Sequence, residues 1–333
     1  MLEHLLHLAR QNQQAQRLYA HLLTHCDGLF SMEEIRAFAA DCGLPLKEAY
    51  VALLSAACGL EPDTIPHHRH LTDRYLAPAL SFSDSAAYRC NPYYRQIRFP
   101  EITKGSWQMT HLSYQPAQLF PSGDPLILPD GREIQLLSCF EDHFSYPAVL
   151  EEGREWMTIT PNEIETMASP IEKAWGKAAV FGLGLGYFPF MISEKDDIAS
   201  VTIIERDPQI IDLFQDHLLP QFPHREKIRL IQADAFDYMS GPMEKEHYDF
   251  AFIDLWHDVS DGLPLYLKCR RLEKPGPCYH YWIECSLLLF LKGLLLEDWQ
   301  AGRTYPGLTA DTLASQERLK AWAPVLSPED FLP

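Results

Sequence analysis

Gly182, Gly184 and Gly186 stand at alternate positions directly behind a short apolar run, residues 177–181. Three acids close three further apolar runs: Glu205 follows residues 200–204, Asp234 follows residues 228–233, and Asp254 follows residues 248–253. Glycines after a strand let the backbone turn sharply and approach a ligand without a side chain in the way. The amides of the helix that follows can receive a carboxylate or phosphate. Glu205 lies 19 residues beyond Gly186, where a carboxylate can accept both hydroxyls of a ribose. Charge-assisted bonds of that kind contribute about 1.5–3 kcal/mol each. Asp234 can accept from an adenine amino group while the Ala235 amide reads a ring nitrogen. Together these residues describe a site for an adenosine carrying something anionic beyond its ribose.

The elements that must position them alternate. Helical patterns at residues 187–192 and 208–218 separate the first three apolar runs. A fifth strand is predicted over residues 278–283, after the turn Lys274-Pro275-Gly276-Pro277. Apolar strands alternating with helices predict an α/β fold, a doubly wound parallel sheet with helices on both faces. In such sheets ligands bind beyond the carboxyl ends of the strands, near the switch in strand order. Gly182–Gly186, Glu205, Asp234 and Asp254 all fall at such ends.

The glycine spacing selects among adenosine cofactors. A dinucleotide fingerprint requires G-x-G-x-x-G, but the third glycine position is Tyr187 in one register and Pro189 in the other. The pattern present is G-x-G-x-G. With Glu205, Asp234 and the strand ending at Asp254, it resembles the class I S-adenosylmethionine (SAM)-dependent methyltransferases, over residues 175–290. The resemblance implies a Rossmann-like catalytic domain with SAM as cofactor. It implies that Gly182, Gly184 and Gly186 line the methionine part, that Glu205 holds the ribose hydroxyls, and that Asp234 and Ala235 read the adenine. It also implies that Asp254 lies near the sulfonium and the acceptor. The position before the first glycine, often acidic in that family, is Phe181.

A second resemblance is to the aminopropyltransferases, the spermidine synthases. It rests on β hairpins ahead of the sheet and on Asp254-Leu255-Trp256-His257-Asp258 followed by Leu263-Pro264-Leu265-Tyr266. Here the paired acids stand one residue further apart than in that family, and Val259 occupies the place of its proline. Leu185 stands where that family carries an aspartate inside the glycine loop. Without that carboxylate the loop loses its bias against intact SAM, whose own carboxylate an aspartate would repel. Asp254, His257 and Asp258 are the candidate catalytic groups, since an amine or hydroxyl acceptor must surrender a proton. Trp256 and His257 could instead pack over the adenosine, and Asp258 could cap the next helix. The acids Glu205, Asp254, Asp258 and Asp261 suit a cationic acceptor. The expectation is a SAM-dependent methyltransferase acting on a small molecule, with an amine among the candidates. The alternatives are aminopropyl transfer from decarboxylated SAM and a SAM-binding protein without turnover. The missing third glycine opposes a nicotinamide cofactor.

The remaining chain sets the frame. Of 333 residues, 47% are hydrophobic and 22% charged, which excludes a disordered chain. A net charge of −18 opposes nucleic acid as a partner. The length predicts two or three domains: a helical unit over residues 1–80, a β-rich region over 81–160 and the Rossmann-like domain over 161–333. Ser31 and Glu34 form a capping box, with Gly43 ending the helix. Hairpins are predicted around Asp130-Gly131 and Glu152-Gly153, and Thr160-Pro161-Asn162-Glu163 opens a helix. Aromatics and bases from Tyr88 to Trp107 read as an interdomain seam or a substrate-facing wall. Pro66-His67-His68-Arg69-His70 reads as a Pro-bounded loop without converging ligands. The eight cysteines show no C-x-x-C pair and read as buried free thiols in a reducing compartment, so no metal is expected. No signal peptide or membrane span is read, which predicts a cytoplasmic protein. The N-terminal helices could pair two subunits in a homodimer or form a lid.

Overall fold

The computed structural model describes residues 2–26 and 28–300. Its centre is a five-stranded, wholly parallel sheet. The strands are β1 (Gly176–Phe181), β2 (Ile198–Glu205), β3 (Ile228–Gln232), β4 (Phe250–Ile253) and β5 (Cys278–Tyr281). They lie in the order β3-β2-β1-β4-β5. The order reverses between β1 and β4, so the crevice of the fold opens where Gly182 and Asp254 begin. Residues 178–181 of β1 and all of β4 are buried, as unbroken apolar strands covered on both faces should be. Helices Tyr187–Ser193, Pro208–Leu213, Ala235–Ser240, Val259–Leu272 and Glu284–Gln300 follow the five strands in turn. Phe188 of the first stacks on Phe252 of β4 at 3.8 Å between ring centroids. The expected α/β, class I methyltransferase-like sheet, with helical and β-rich regions ahead of it, is what the chain forms.

The N-terminal region begins with helices Leu2–His25, Met32–Cys42 and Leu46–Ala57. The Ser31–Glu34 capping box is formed, and Gly43 ends that helix at φ +65°, a left-handed conformation glycine adopts cheaply. Tyr19, Leu22, Ile35, Tyr50, Leu54 and Tyr75 fill the core between them. That core does not stop at residue 80. It continues through Leu119, Ile134, Leu137 and Cys139, because Leu80–Ser83 is a strand paired in parallel with Leu137–Phe140. A parallel partner more than fifty residues away leaves no local turn signal, so periodicity alone could not reveal it.

Both hairpins form, with adjusted limits. Leu126–Ile127 pairs with Glu133–Ile134, while Leu137 belongs to the parallel pair instead. Phe144–Glu151 pairs with Arg154–Thr158 through Glu152 and Gly153, both at positive φ. Trp107–Tyr114 is a further strand on the other edge of Phe144–Glu151. Residues 88–107 make the seam. Tyr93 donates from its hydroxyl to the Leu185 carbonyl at 2.6 Å, and Gln221 brackets Arg98 through that residue's amide and carbonyl.

Two expectations need correction. The histidine segment is a helix, Pro66–Leu71, opened by proline at its first position, and His68 Nδ1 accepts the Glu61 amide. Cys42, Cys90 and Cys278 are exposed, so the thiols are not uniformly buried. The C-terminal part is tied back to the N-terminal part by Lys292, whose Nζ meets Glu133 Oε1 at 2.5 Å, and by Ser286 donating to Asp124. No helix among the described residues is long and apolar enough to cross a membrane.

Candidate active site

The glycine turn is held by its surroundings. Gly182 sits at φ +94°, and a Cβ there would lie 1.9 Å from the Asp254 carbonyl oxygen. Its amide donates to Ile204, and the Asp254 amide donates to Phe181, so β1, β2 and β4 are laced together at this point. Only glycine allows so close a crossing. Gly184 differs: at φ +53° a Cβ would meet nothing within 4 Å, so its surface faces open space. Gly186 caps the helix Tyr187–Ser193 at φ +73°, and a Cβ would strike the Phe214 ring at 2.4 Å. Of the three glycines, Gly184 presents bare backbone to the crevice, while Gly182 and Gly186 permit close packing.

Glu205 ends β2 and reaches across to this turn. Its Oε2 accepts the Leu183 amide at 3.1 Å, and its Oε1 accepts the Arg206 and Asp207 amides at 2.8 Å each. A carboxylate offers about four acceptor positions, so these three amides leave room for a further donor. Asp234 is exposed and caps Ala235–Ser240, its Oδ1 accepting the Phe236 and Asp237 amides. Its Oδ2 takes no hydrogen bond among the described residues. The Ala235 amide opens that short helix, where N–H groups lack intrahelical partners.

Asp254 is the group with the greatest unmet chemistry. Its residue keeps some surface in the crevice while the carboxyl itself is enclosed. Its side chain makes no hydrogen bond or ion pair among the described residues. Burial, reinforced by the negative charge of Glu205, pushes its carboxyl up to about 7. Glu163 stands nearby. Its Oε2 accepts the Thr160 amide at 2.8 Å and its Oε1 the Thr158 hydroxyl at 2.9 Å. Burial pushes this acid up to about 8, the Thr160 and Thr158 bonds oppose that, and the charges of Asp254 and Glu155 add to it. Tyr94, Tyr114 and Tyr146 surround it, their phenols raised by burial first and by the Glu163 charge among the further causes. No lysine, arginine or histidine pairs with Asp254, Glu163 or Glu205 among the described residues. The crevice is therefore acidic and lined on one side by tyrosines.

The loop after β4 carries the other candidates. The Asp258 carboxylate accepts the Ser260 amide at 2.7 Å and the Ser260 hydroxyl at 2.6 Å, bonds that hold it below its usual range. It caps Val259–Leu272 in a capping box with Asp261. His257 is exposed. Its amide donates to Asp261, its Nδ1 lies 3.4 Å from Asp261 Oδ2, and its ring meets Trp156 edge-on at 4.1 Å. Trp256 turns inward onto Gly262 and Leu287 and stacks on Tyr281, and its Nε1 finds no hydrogen-bond partner among the described residues.

Asp254 and Glu205 thus share one crevice, with Glu163 beside Asp254. His257 and Asp258 stand in the loop that leaves Asp254, and Asp234 lies beyond the end of the outer strand β3, at the cap of the helix that follows it. Glu163 and Trp156 were not singled out in the sequence. Glu163 was legible only as a cap, and its approach to Asp254 depends on tertiary packing that no local pattern carries.

No family model matches the chain, and no curated protein matches it. Solved structures similar to it include a spermidine synthase from Thermotoga maritima, with 16% identity and a TM-score of 0.29 over 40% of this chain and 49% of that one. Another is a protein described as a SAM-dependent methyltransferase from Streptococcus mutans, with 16% identity and a TM-score of 0.33 over 45% and 42%. A third is a spermidine synthase in complex with the transition state analogue AdoDATO, with 15% identity and a TM-score of 0.30 over 44% and 55%. The chain spans about half the length of each of these chains. They are the two kinds of protein whose motifs the sequence resembles. The functional reading rests on the side chains themselves.

Proposed function

We propose that this chain is a transferase that uses SAM to methylate a small cationic amine. The observation that carries this reading is Asp254: an enclosed, unpaired carboxyl at the switch between β1 and β4, beside a bare glycine turn. SAM, when bound, supplies a methyl group already activated on a sulfonium. The open face of Gly184 and the remaining acceptor capacity of Glu205 suit its methionine and ribose parts. The second oxygen of Asp234 and the amide of Ala235 suit the adenine. Asp254 draws the positive nitrogen of the acceptor into the crevice and takes its proton, a task for which a carboxyl titrating near neutrality is fitted. Glu163 stands beside it and, pushed up to about 8 by burial, gains its negative charge only above that pH, with Tyr94, Tyr114 and Tyr146 as its wall. His257 and Asp258 act as positioning residues for the loop that carries Asp254.

A second reading is aminopropyl transfer from decarboxylated SAM. It is favoured by the lack, among the described residues, of any basic side chain paired with these acids that could receive the carboxylate of intact SAM. Leu185 opposes it, being an apolar, buried residue where an aminopropyltransferase carries an acid. The test is turnover of each donor with a panel of di- and polyamines, read by the nucleoside released. Methyl transfer releases S-adenosylhomocysteine, and aminopropyl transfer releases methylthioadenosine. Release of neither with any amine would remove the amine assignment.

A further inference from the structure

Far from the crevice, the ends of two helices bring together three side chains that are well separated in the sequence. His21 lies in the last turns of Leu2–His25, Cys26 directly follows that helix, and Cys58 caps Leu46–Ala57. The imidazole nitrogen and the two thiol sulfurs all lie within 4.8 Å of one another. Cys26 is buried, Cys58 half-buried and His21 exposed, so the group has an apolar floor and a solvent-facing side. The spacing in the sequence hides this arrangement, because the second cysteine arrives from another helix.

From this juxtaposition we propose that His21, Cys26 and Cys58 form a binding site for a thiophilic divalent cation, zinc above all, with the solvent side supplying the fourth ligand. One nitrogen and two sulfurs make a borderline-soft set that suits zinc rather than magnesium or calcium. Zinc–sulfur and zinc–nitrogen distances of about 2.3 and 2.0 Å place tetrahedral donors about 3.5 Å apart. The exposed His21 ring can turn by the small amount required, and the ring of His25 stacks on it at 4.7 Å. Binding converts two thiols to thiolates, so one zinc ion displaces two protons to the buffer while the histidine enters neutral. Because those two protons must leave, affinity must rise with pH. The site would pin the end of the first helix to the end of the third. It is independent of the proposed transfer reaction.

The experiment is titration of the full chain with cobalt(II), under a phosphine reductant that keeps the thiols free. The result expected is one equivalent bound with a thiolate-to-cobalt charge-transfer band, displaced by zinc. Cys58→Ser should abolish the band, and His21→Ala, at an exposed position, should weaken binding at least tenfold with helicity unchanged. Cys42→Ser, at an exposed thiol elsewhere, should bind as the parent does. Failure of the reduced parent to take up cobalt would overturn the proposal, as would a band that survives in Cys58→Ser. A Cys26–Cys58 disulfide formed in air, with no metal bound after reduction, would overturn it too and assign the pair to redox chemistry.

Discussion

Glu205 accepts the amide of Leu183 at 3.1 Å, so the acid that ends β2 is bonded to the turn that ends β1. One side chain thereby sets the shape of the glycine loop and presents a negative charge at the mouth of the crevice. The same charge raises the Asp254 carboxyl. In the proposed reaction, donor binding and proton transfer are linked through this residue.

The two glycines nearest the crevice should respond differently to a methyl group. Gly182→Ala would force a Cβ into the Asp254 carbonyl and should destabilise the fold by about 3 kcal/mol or more, since neither backbone can yield without breaking the sheet. Gly184→Ala meets open space and should cost only about 1–2 kcal/mol, for the left-handed backbone. It should nevertheless weaken donor binding, because the methyl occupies the approach. Denaturant unfolding together with ligand titration checks both. Equal losses of stability would contradict the assignment of Gly184 to the ligand.

The raised acids set a pH dependence with a definite sign. Asp254 and Glu163 hold their protons in the folded state to about 7 and about 8, above the ordinary values of 3.8 and 4.5. Between those limits the native state binds more protons than the unfolded one, so stability falls as pH rises from about 4 to about 8 and then levels. Asp254→Asn removes one of these groups and lowers the pull on the other. Its melting temperature should therefore fall less than that of the parent between pH 5.5 and pH 8.5, by an amount on the order of a few kcal/mol in stability. Turnover has the opposite sign, rising as Asp254 ionises, with a midpoint near 7. A parent whose stability is flat across this range would contradict the enclosure of both acids.

Asp254 and Asp258 should separate in kinetics. Asp254→Asn should lower kcat by about a hundredfold or more, in the range expected for loss of a general base. It should leave donor affinity within a few fold. Asp258→Ala removes a helix cap and should cost about 1 kcal/mol of stability, with kcat changed much less. Equal losses of kcat would place Asp258 at the reacting proton.

Lys292 of the last described helix and Glu133 of the β-rich region are joined by a largely enclosed ion pair. Lys292→Met should destabilise by about 3 kcal/mol or more, because Glu133 is left buried and charged without its partner. The double change Lys292→Met with Glu133→Leu should recover much of the loss, as a pair replaced by apolar groups often does. Chemical unfolding of the two variants reads this directly. No recovery in the double variant would assign the loss to packing of the lysine stem.

The parallel sheet was legible because its central strands are buried on both faces and apolar, and four of the five strands are followed by a glycine or an acid. Those four carboxyl ends could be marked along the chain from that alone. The parallel pair of Leu80–Ser83 with Leu137–Phe140 was not legible, because its partners are distant and each is short. Glu163 looked like a cap and is one. Its second role arises only when the hairpin carrying Thr158 folds over the end of β4, a matter of packing rather than pattern. The meeting of Cys26 with Cys58 was hidden for the same reason.

The most direct test of the account is calorimetric titration of the full chain with SAM and with decarboxylated SAM, beside Glu205→Ala. The account predicts that the parent binds SAM and that Glu205→Ala binds it at least tenfold more weakly, since a charge-assisted bond of about 1.5–3 kcal/mol is lost. Tighter binding of decarboxylated SAM would transfer the assignment to aminopropyl chemistry. SAM binding undiminished in Glu205→Ala, or no binding of either donor, would contradict the placement of an adenosine donor at the ends of β1 and β2.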